Sequence, residues 1–411
     1  MAMRKWLKIL LTAFLCGASA WLMTDAYFAG TAMPFAFFTL TLASVLVVLV
    51  RVGRSWTDML YTALAGLILA AISIGHFHYR PNWESCVSFL GMGSFVVLGL
   101  RAVWSEGELQ KRFALAFAPS FVFAAFMVFA GSVLDQTQIW HPKVLDLYLF
   151  SFDSSLHVQI AFLLGQAFAM WPVFQALGFA VYVALPVTIA MVYAGQLMRD
   201  REKAQPAVIA FLVTGPIGLL FYNLFPALGP VHLFLDRFPW HPLTTQQAAR
   251  MLCEPLEIKG VQNAIPSLHL TWVLLAWWYS RGLSVWERGV ALAFVVFTVF
   301  ATMGTGEHYF VDLVVAYPFS VMIQALCALP LRWMARERVT SFLYGLLVTL
   351  VWLFALGHAT KFFWLSPLIP WACCVGTVAS AIYLHKKLDA ATDAAAVRQS
   401  ASAGELAVAL S

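Results

Sequence analysis

Residues 338–358 read RVTSFLYGLLVTLVWLFALGH, and no side chain between Arg338 and His358 carries a charge at neutral pH. A helix of about twenty residues rises roughly 30 Å, which is the thickness of the hydrocarbon core of a bilayer. The run therefore predicts a transmembrane helix, and similar runs along the chain decide its fold class.

Eleven further apolar runs have this character, although one of them is short. They lie at about 6–23, 31–50, 57–75, 86–103, 113–133, 172–197, 206–225, 267–283, 288–306, 308–328 and 367–385. The 411 residues are 62% hydrophobic and 11% charged, whereas soluble domains carry roughly 25% charged residues. The sequence predicts an all-α, polytopic integral membrane bundle of about twelve transmembrane helices.

Lysine and arginine residues are distributed unevenly between these runs. If the N-terminus is cytoplasmic and the runs alternate, nineteen of the 25 lie on the cytoplasmic side and six on the outer side. Because cytoplasmic loops are enriched in both residues, we expect both termini in the cytoplasm, in a membrane such as the bacterial inner membrane. The N-terminus also resembles a signal peptide that ends near residues 17–20, but the charge count favours a retained first helix.

The composition argues against several other classes of protein. The net charge of +5 does not indicate a nucleic-acid partner, because the basic residues lie in short loops. Six cysteines show no metal-binding spacing, and His76 and His78 form only a weak ligand pair. We predict no metal and no cofactor, and we disfavour a Cys86–Cys253 disulfide, which would need both residues outside the membrane. The oligomeric state is not indicated.

Two outer segments are longer than simple turns. Residues 134–171 predict an interfacial amphipathic stretch, with Asp146 and Asp153 on its wet face and a partly inserted helix near 158–170. Residues 226–266 are rich in proline and predict a loop.

Ionisable residues beside apolar spans are costly to keep and indicate a functional site. At the outer face, the stretch GEHYFVD occupies residues 306–312. Its His308 and Asp312 are four residues apart, so a helix brings the carboxylate within reach of the imidazole and fixes the tautomer of the ring.

A second stretch, NAIPSLH, occupies residues 263–269 on the same side of the membrane. Pro266 predicts a helix start there, with Ser267 and the free amide groups of the first turn facing the outer water as an anion site beside His269. Two histidines and a carboxylate around an anion site are typical of phosphoryl transfer through a phosphohistidine.

Together these stretches resemble the type 2 phosphatidic acid phosphatase (PAP2) superfamily, in which Pro-Ser-x-His precedes His-x-x-x-Asp by some forty residues. The matching residues, 266–269 and 308–312, are most similar to the inositolphosphotransferase branch, which includes inositol phosphorylceramide synthases. YNLFPALGP at 222–230 is similar to the proline-rich motif of that branch. The resemblance covers about 140–330 and implies a six-helix catalytic core at about 172–328.

The resemblance implies roles for the residues that match. His308 would attack phosphorus, Asp312 would orient and activate it, and His269 would protonate the leaving group and then deprotonate the acceptor. The expected substrate-binding residues are Ser267, Tyr222, Asn223, Pro226, Gly229, Asn263 and Lys259. Two alternatives stay open: Asn263 caps the short helix, and residues 222–230 are a plain helix stop.

The sequence also departs from the family pattern. Leu268 stands where the phosphatases have glycine, Thr302 stands where they have arginine, and their Lys-x6-Arg-Pro motif is missing. A phosphate monoester dianion needs more cationic neutralisation than a phosphodiester monoanion. The departures therefore favour a phosphodiester donor and an alcohol acceptor.

The predicted function is transfer of a phosphoinositol or phosphoglycerol headgroup from a phospholipid to ceramide or diacylglycerol. A phosphatase acting on phosphatidate or polyprenyl diphosphate is the alternative. A transporter is disfavoured, because internal repeats and mid-bilayer charges are missing from the sequence. We expect N-terminal transmembrane helices at 1–133, a catalytic domain with the interfacial segment at 134–330, C-terminal helices at 331–387 and a flexible tail at 388–411.

Overall fold

The computed structural model of the protein describes residues 6–14, 17, 35–53, 55–77 and 83–409. Residues 6–14 are helical. The helices that follow are α1 (Phe35–Gly53), α2 (Trp56–Phe77), α3 (Trp83–Trp104), α4 (Gly107–Trp140), α5 (Asp146–Ser155), α6 (Ile160–Met170), α7 (Pro172–Val183), α8 (Leu185–Arg199), α9 (Arg201–Leu224), α10 (Pro230–Phe234), α11 (Thr245–Ala249), α12 (Leu268–Tyr279), α13 (Val285–Gly304), α14 (Phe310–Leu326), α15 (Arg336–His358), α16 (Thr360–Phe363) and α17 (Leu368–Ala409). Within these ranges the strands are only β1 (Lys143–Val144) and β2 (Leu256–Glu257), which pair antiparallel. The all-α prediction is confirmed.

Five described helices are long and apolar enough to cross a membrane, so this is an integral membrane protein. They are Glu84–Trp104, Lys203–Leu224, Val285–Gly304, Arg336–His358 and Leu368–Gln399. The number rises to seven if two bent pairs each form one span, namely α5 with α6 and α7 with α8.

Several of the twelve predicted runs form shorter or broken helices. The run at 172–197 divides between α7 and α8, and Pro186 stands at the start of the second helix. The run at 267–283 gives only the twelve residues of α12. Residues 15, 16 and 18–23 of the first run lie outside the described residues, as does most of the proposed cleavage site near 17–20.

One prediction outside the helix core was wrong. The segment after 134 is not an amphipathic stretch with wet carboxylates, because the side chains of Asp146 and Asp153 are 0% and 4% exposed. It forms α5 and α6, which meet at 92°. Cys86 and Cys253, for which a disulfide was disfavoured, are both free cysteines.

One compact unit takes its described residues from 1–133, 183–208 and 276–294. In it α3 packs against α1 and α2, and α8 packs against α1. Leu49, Leu98 and Ala194 are fully buried in its apolar core. Buried Asp58 forms an ion pair with Arg101 at 2.6 Å.

The second compact unit takes its described residues from 134–182, 209–275 and 295–409. Helix α14 is its central element, since it packs against α5, α15 and α17 and buries most of its side chains.

Arg338 closes the C-terminal end of α14. Its guanidinium donates to the carbonyl oxygens of Ala325 at 3.1 Å, Leu326 at 2.7 Å and Leu331 at 2.7 Å. The last carbonyls of a helix have no partner within the helix, and a charged donor is the strong way to satisfy them. The side chain is only 3% exposed and lies 3.7 Å from the centre of the Trp333 ring.

We predict that Arg338→Met lowers the free energy of unfolding by about 2–4 kcal/mol, because three carbonyls, two of them in buried hydrogen bonds, lose a charged donor. Arg336→Met is the matched control: Arg336 is exposed, and its loss should change stability by less than about 0.5 kcal/mol. Denaturation of both variants in detergent would measure the difference. Equal stabilities for the two would contradict the role given to Arg338.

Candidate active site

His308 and Asp312 come together at the start of α14. The helix begins at Phe310, two residues after the histidine, and Tyr309 is its N-cap residue. Oδ2 of Asp312 lies 3.4 Å from Nδ1 of His308 and accepts the Tyr309 N–H at 2.8 Å. Both side chains are buried, with 2% of His308 and none of Asp312 exposed. The carboxylate therefore faces the imidazole and also holds the first turn of the helix.

The turn before α14 fixes the backbone of His308. The N–H groups of Glu307 and His308 both donate to the carbonyl oxygen of Thr302, each at 3.1 Å. Thr302 is fully buried, and its hydroxyl donates to the carbonyl of Thr298. The position at which the family has arginine therefore supplies a backbone acceptor for the histidine turn.

Ser267 brings the second motif against the first. Its N–H donates to the Asp312 carbonyl at 3.2 Å, and its Oγ lies 3.2 Å from Nε2 of His308. Its Oγ also accepts the Leu270 N–H at 3.4 Å, so Ser267 caps α12. Ser267 is fully buried. Ser267 and its amide therefore do not face water, because in the free protein they are bound to α14 and α12. An anion site at Ser267 stays a prediction.

His269 lies on the first turn of α12 with its ring between aromatic side chains. The ring stacks on Tyr182 of α7, with centroids 4.0 Å apart and planes at 15°. The edge of Trp272 approaches at 6.3 Å. His269 is half-buried and interacts electrostatically with His308. Stacking thus fixes the plane of the ring, and Tyr182 is a contact that the sequence motifs did not indicate.

The segment 225–230 follows the end of α9 and is buried throughout. The Pro226 carbonyl accepts the Leu145 N–H at 2.8 Å, and the Ala227 carbonyl accepts the Ala264 N–H at 3.1 Å. Segment 225–230 is therefore more than a helix stop, because its backbone carbonyls bind one residue that precedes it in the sequence and one that follows it.

Gly229 is required at the end of segment 225–230. Its φ of +135° is open to glycine and strained for other residues. A Cβ there would lie 2.4 Å from the carbonyl oxygen of Glu307, the residue before the catalytic candidate His308. The Val231 N–H then donates to the Gly306 carbonyl at 3.0 Å. Segment 225–230 is thus in direct contact with the histidine turn.

Asp146 and Asp153 of α5 are site residues that the sequence analysis missed. Asp146 accepts the N–H groups of Leu228 and Gly229, at 3.0 and 2.9 Å, and the Tyr309 hydroxyl at 3.1 Å. Asp153 accepts the N–H of Phe310 at 2.7 Å and that of Val311 at 3.1 Å, one on each oxygen. The available signal was two carboxylates in a largely apolar segment, which indicates function by default.

The other predicted substrate-binding residues are spread more widely. The Tyr222 hydroxyl is buried beside the backbone N–H of Leu268. Asn223 donates from Nδ2 to the Leu219 carbonyl at 2.8 Å, and its buried Oδ1 accepts no hydrogen bond from the described residues. Asn263 is half-buried and lies five residues before α12, too far to cap it. Lys259 is exposed.

Positive charge is scarce at this site. Within the part of the chain that the structure describes, no lysine or arginine forms a hydrogen bond or ion pair with Ser267, His308 or Asp312. One ionisable pair lies beside the histidine turn: Nε2 of His232 is 3.8 Å from Oε2 of Glu307, and both side chains are about one-third exposed. The Glu307 carboxylate raises the pKa of His232 despite the opposing effect of burial.

The arrangement suits nucleophilic or acid–base chemistry. Nδ1 of His308 faces the Asp312 carboxylate at 3.4 Å, and Nε2 faces the Ser267 hydroxyl at 3.2 Å. A carboxylate in this position favours a proton on Nδ1 and leaves Nε2 for the reaction. His269 provides a second imidazole, whose ring stacks on Tyr182.

A family model for the PAP2 superfamily matches residues 147–327. Comparison with curated proteins and with solved structures gives no match. The matched residues include His269, His308 and Asp312. Members of this superfamily are phosphatases or phosphotransferases. Residues 147–327 are therefore similar to a PAP2 superfamily domain, and the protein is an enzyme of the phosphatase or phosphotransferase type. The similarity supports activity on a lipid phosphate.

We predict that Gly229→Ala lowers the free energy of unfolding by at least about 2 kcal/mol, because the new Cβ meets backbone and the φ is strained. Activity should fall with it, since the displaced backbone is that of Glu307. The control is Gly376→Ala in α17, where a Cβ meets no atom within 4 Å. That change should stabilise by less than about 1 kcal/mol. Both proteins would be denatured and assayed. If Gly229→Ala had the stability and the activity of wild type, the close contact between Gly229 and Glu307 would be contradicted.

We predict that the His232–Glu307 pair stabilises the fold mainly at acidic pH. Because the folded pKa of His232 is raised, the contribution is complete below the ordinary imidazole pKa of about 6.5 and is lost as pH rises through the raised value. The melting temperature of Glu307→Gln should therefore fall below that of wild type at about pH 5 and approach it near pH 9. His232→Gln should remove this pH dependence. A difference in melting temperature between wild type and Glu307→Gln that does not change with pH would contradict this prediction.

Proposed function

We propose that the protein moves a phospho-headgroup between lipids through a phosphohistidine at His308. The observation that carries this proposal is the buried contact series from Ser267 Oγ to His308 Nε2, at 3.2 Å, and from His308 Nδ1 to Asp312, at 3.4 Å. It supports a neutral imidazole with its proton on Nδ1 and a reactive lone pair on Nε2. The phosphoinositol-type or phosphoglycerol-type headgroup follows from the resemblance of the motifs.

The first step forms a bond between His308 Nε2 and phosphorus and breaks the bond from phosphorus to the oxygen of the leaving lipid alcohol. His269 gives that oxygen a proton. As the N–P bond forms, positive charge develops on the imidazole, and the Asp312 carboxylate stabilises it. The Ser267 hydroxyl, which contacts Nε2 in the free enzyme, then donates to a phosphoryl oxygen.

The second step reverses these roles. His269, now neutral, accepts the proton of the acceptor alcohol, whose oxygen attacks phosphorus while the P–N bond breaks. His308 returns to its neutral form, and no proton is gained or lost over the cycle. The acceptor would be ceramide or diacylglycerol, and the site would face the outer side of the membrane, with lipid entering between helices.

The charges around His308 favour a phosphodiester over a phosphate monoester. Asp146, Asp153 and Asp312 are all buried near the histidine turn. Among the described residues, no lysine or arginine forms a hydrogen bond or ion pair with His308, Ser267 or Asp312. Stabilising a dianionic monoester would require cations aimed at its oxygens. A diester carries one negative charge and is repelled less by the carboxylates.

A second mechanism has one specific observation in its favour. The order Ser267, His308, Asp312 is also that of a serine–histidine–aspartate triad, in which the histidine removes the proton of the serine. Ser267 would then carry the phosphoryl group. We favour His308, because Oγ of Ser267 is also engaged by the Leu270 N–H, which orients it as a helix cap.

We predict headgroup transfer by the purified protein in lipid micelles. The donor is a phosphodiester lipid labelled in the headgroup phosphate, with ceramide or diacylglycerol as acceptor, and the label should appear in an acceptor-dependent product. Parallel reactions with phosphatidate and with a polyprenyl diphosphate test the phosphatase alternative. Release of free phosphate from these substrates, without any acceptor-dependent product from the diester, would contradict transfer.

The same assay tests the assigned residues. His308→Gln should abolish turnover, and His269→Gln should lower it by about 10²- to 10⁴-fold, the usual contribution of an acid–base group. His241→Gln is the control, because His241 is exposed and outside the site, and its activity should equal that of wild type. Normal turnover in a folded His308→Gln protein would contradict the mechanism.

A further inference from the structure

We propose that Asp153 and Asp146 are positioning residues, which aim His308 by binding the backbone around it. The proposal rests on the proposed function, because it takes His308 as the nucleophile. Both carboxylates lie on α5, and neither belongs to the two sequence motifs that hold the catalytic candidates.

Asp153 satisfies the open end of α14. The first N–H groups of a helix have no partner within it and need one from elsewhere. Asp153 gives one oxygen to Phe310 N–H at 2.7 Å and the other to Val311 N–H at 3.1 Å. These residues directly follow His308 and Tyr309. The two bonds therefore fix both the start of α14 and its rotation about its own axis.

Every backbone N–H in the stretch 307–311 now has an acceptor. Those of Glu307 and His308 donate to Thr302, that of Tyr309 donates to Asp312, and the next two donate to Asp153. None of these donors is left to bind a phosphate. The end of α14 therefore serves to hold the nucleophile in place, and the phosphate must find its donors elsewhere.

Asp146 extends the same function to segment 225–230. It binds the Leu228 and Gly229 N–H groups and also the hydroxyl of Tyr309, the residue after His308. Asp146 and Asp153 are seven residues apart, which is about two helical turns and brings them to the same face of α5. One helix face thus binds both sides of the histidine turn.

Other side chains of α5 contact the C-terminal helices, and these contacts hold the helix face that carries Asp146 and Asp153 in position. The Phe152 ring packs edge-on against Trp352 of α15 at 5.3 Å and Phe363 of α16 at 4.7 Å. The Trp364 indole N–H donates to the Ser151 hydroxyl at 3.1 Å. These partners lie beyond residue 327, where the superfamily match ends. The C-terminal helices thus pack against α5, and α5 in turn binds the backbone around His308.

The test is the isosteric change Asp153→Asn in the full-length protein, assayed with the diester donor. An amide would turn an NH₂ group toward one of the two N–H donors. Groups that orient a reacting residue usually contribute about 10- to 100-fold, and small misplacements cost as much. We expect kcat to fall by about 10- to 100-fold with KM within about twofold of wild type. A purely structural role would instead lower the amount of folded enzyme and leave kcat per folded molecule unchanged.

Two further variants keep the result decisive. Asp58→Asn removes an equally buried carboxylate that pairs with Arg101, and its kcat should equal that of wild type. Tyr309→Phe removes only the hydroxyl that reaches Asp146 and should lower kcat with KM unchanged, even if Asp153→Asn fails to fold. Wild-type kcat in Tyr309→Phe and in folded Asp153→Asn, with His308→Gln inactive, would overturn the positioning role alone. An active His308→Gln protein would overturn the proposed function itself.

Discussion

The site depends on where five consecutive backbone N–H groups, those of residues 307–311, are bound. In a buried turn each of these donors needs an acceptor. Here the acceptors are one carbonyl, that of Thr302, and the carboxylates of Asp312 and Asp153. Once they are bound, the orientation of α14 and the direction of the His308 ring follow. Ser267 then meets Nε2 of that ring because its own N–H is bound to the Asp312 carbonyl.

Features that depend on local pattern could be predicted from the sequence. The apolar run at 338–358 predicts α15, and the spacing of four between His308 and Asp312 predicts a carboxylate close to the imidazole. The roles of Asp146 and Asp153 could not be predicted in this way, because their partners are more than eighty residues away along the chain. The spacing of seven between Asp146 and Asp153 places them on one face of a helix. It does not show whether that face is exposed to water or buried.

The charge distribution links the fold to the choice of substrate. Buried carboxylates are costly unless hydrogen bonds satisfy them, and here backbone N–H groups do so. When ionised, the same carboxylates add negative charge behind the nucleophile. They suit an imidazole that becomes positive when phosphorylated, and they disfavour a dianionic substrate. A phosphodiester donor is compatible with both conditions, which is why the anchoring of α14 and the proposed headgroup transfer belong together.

The most direct test identifies the residue that carries the phosphoryl group during turnover. The enzyme would be quenched in the presence of a labelled diester donor and no acceptor, digested at alkaline pH and sequenced by mass spectrometry. The account predicts that the phospho-headgroup is attached to His308 through an acid-labile P–N bond. An acid-stable phosphodiester that joins the headgroup to Ser267 would contradict it and establish the triad mechanism in its place.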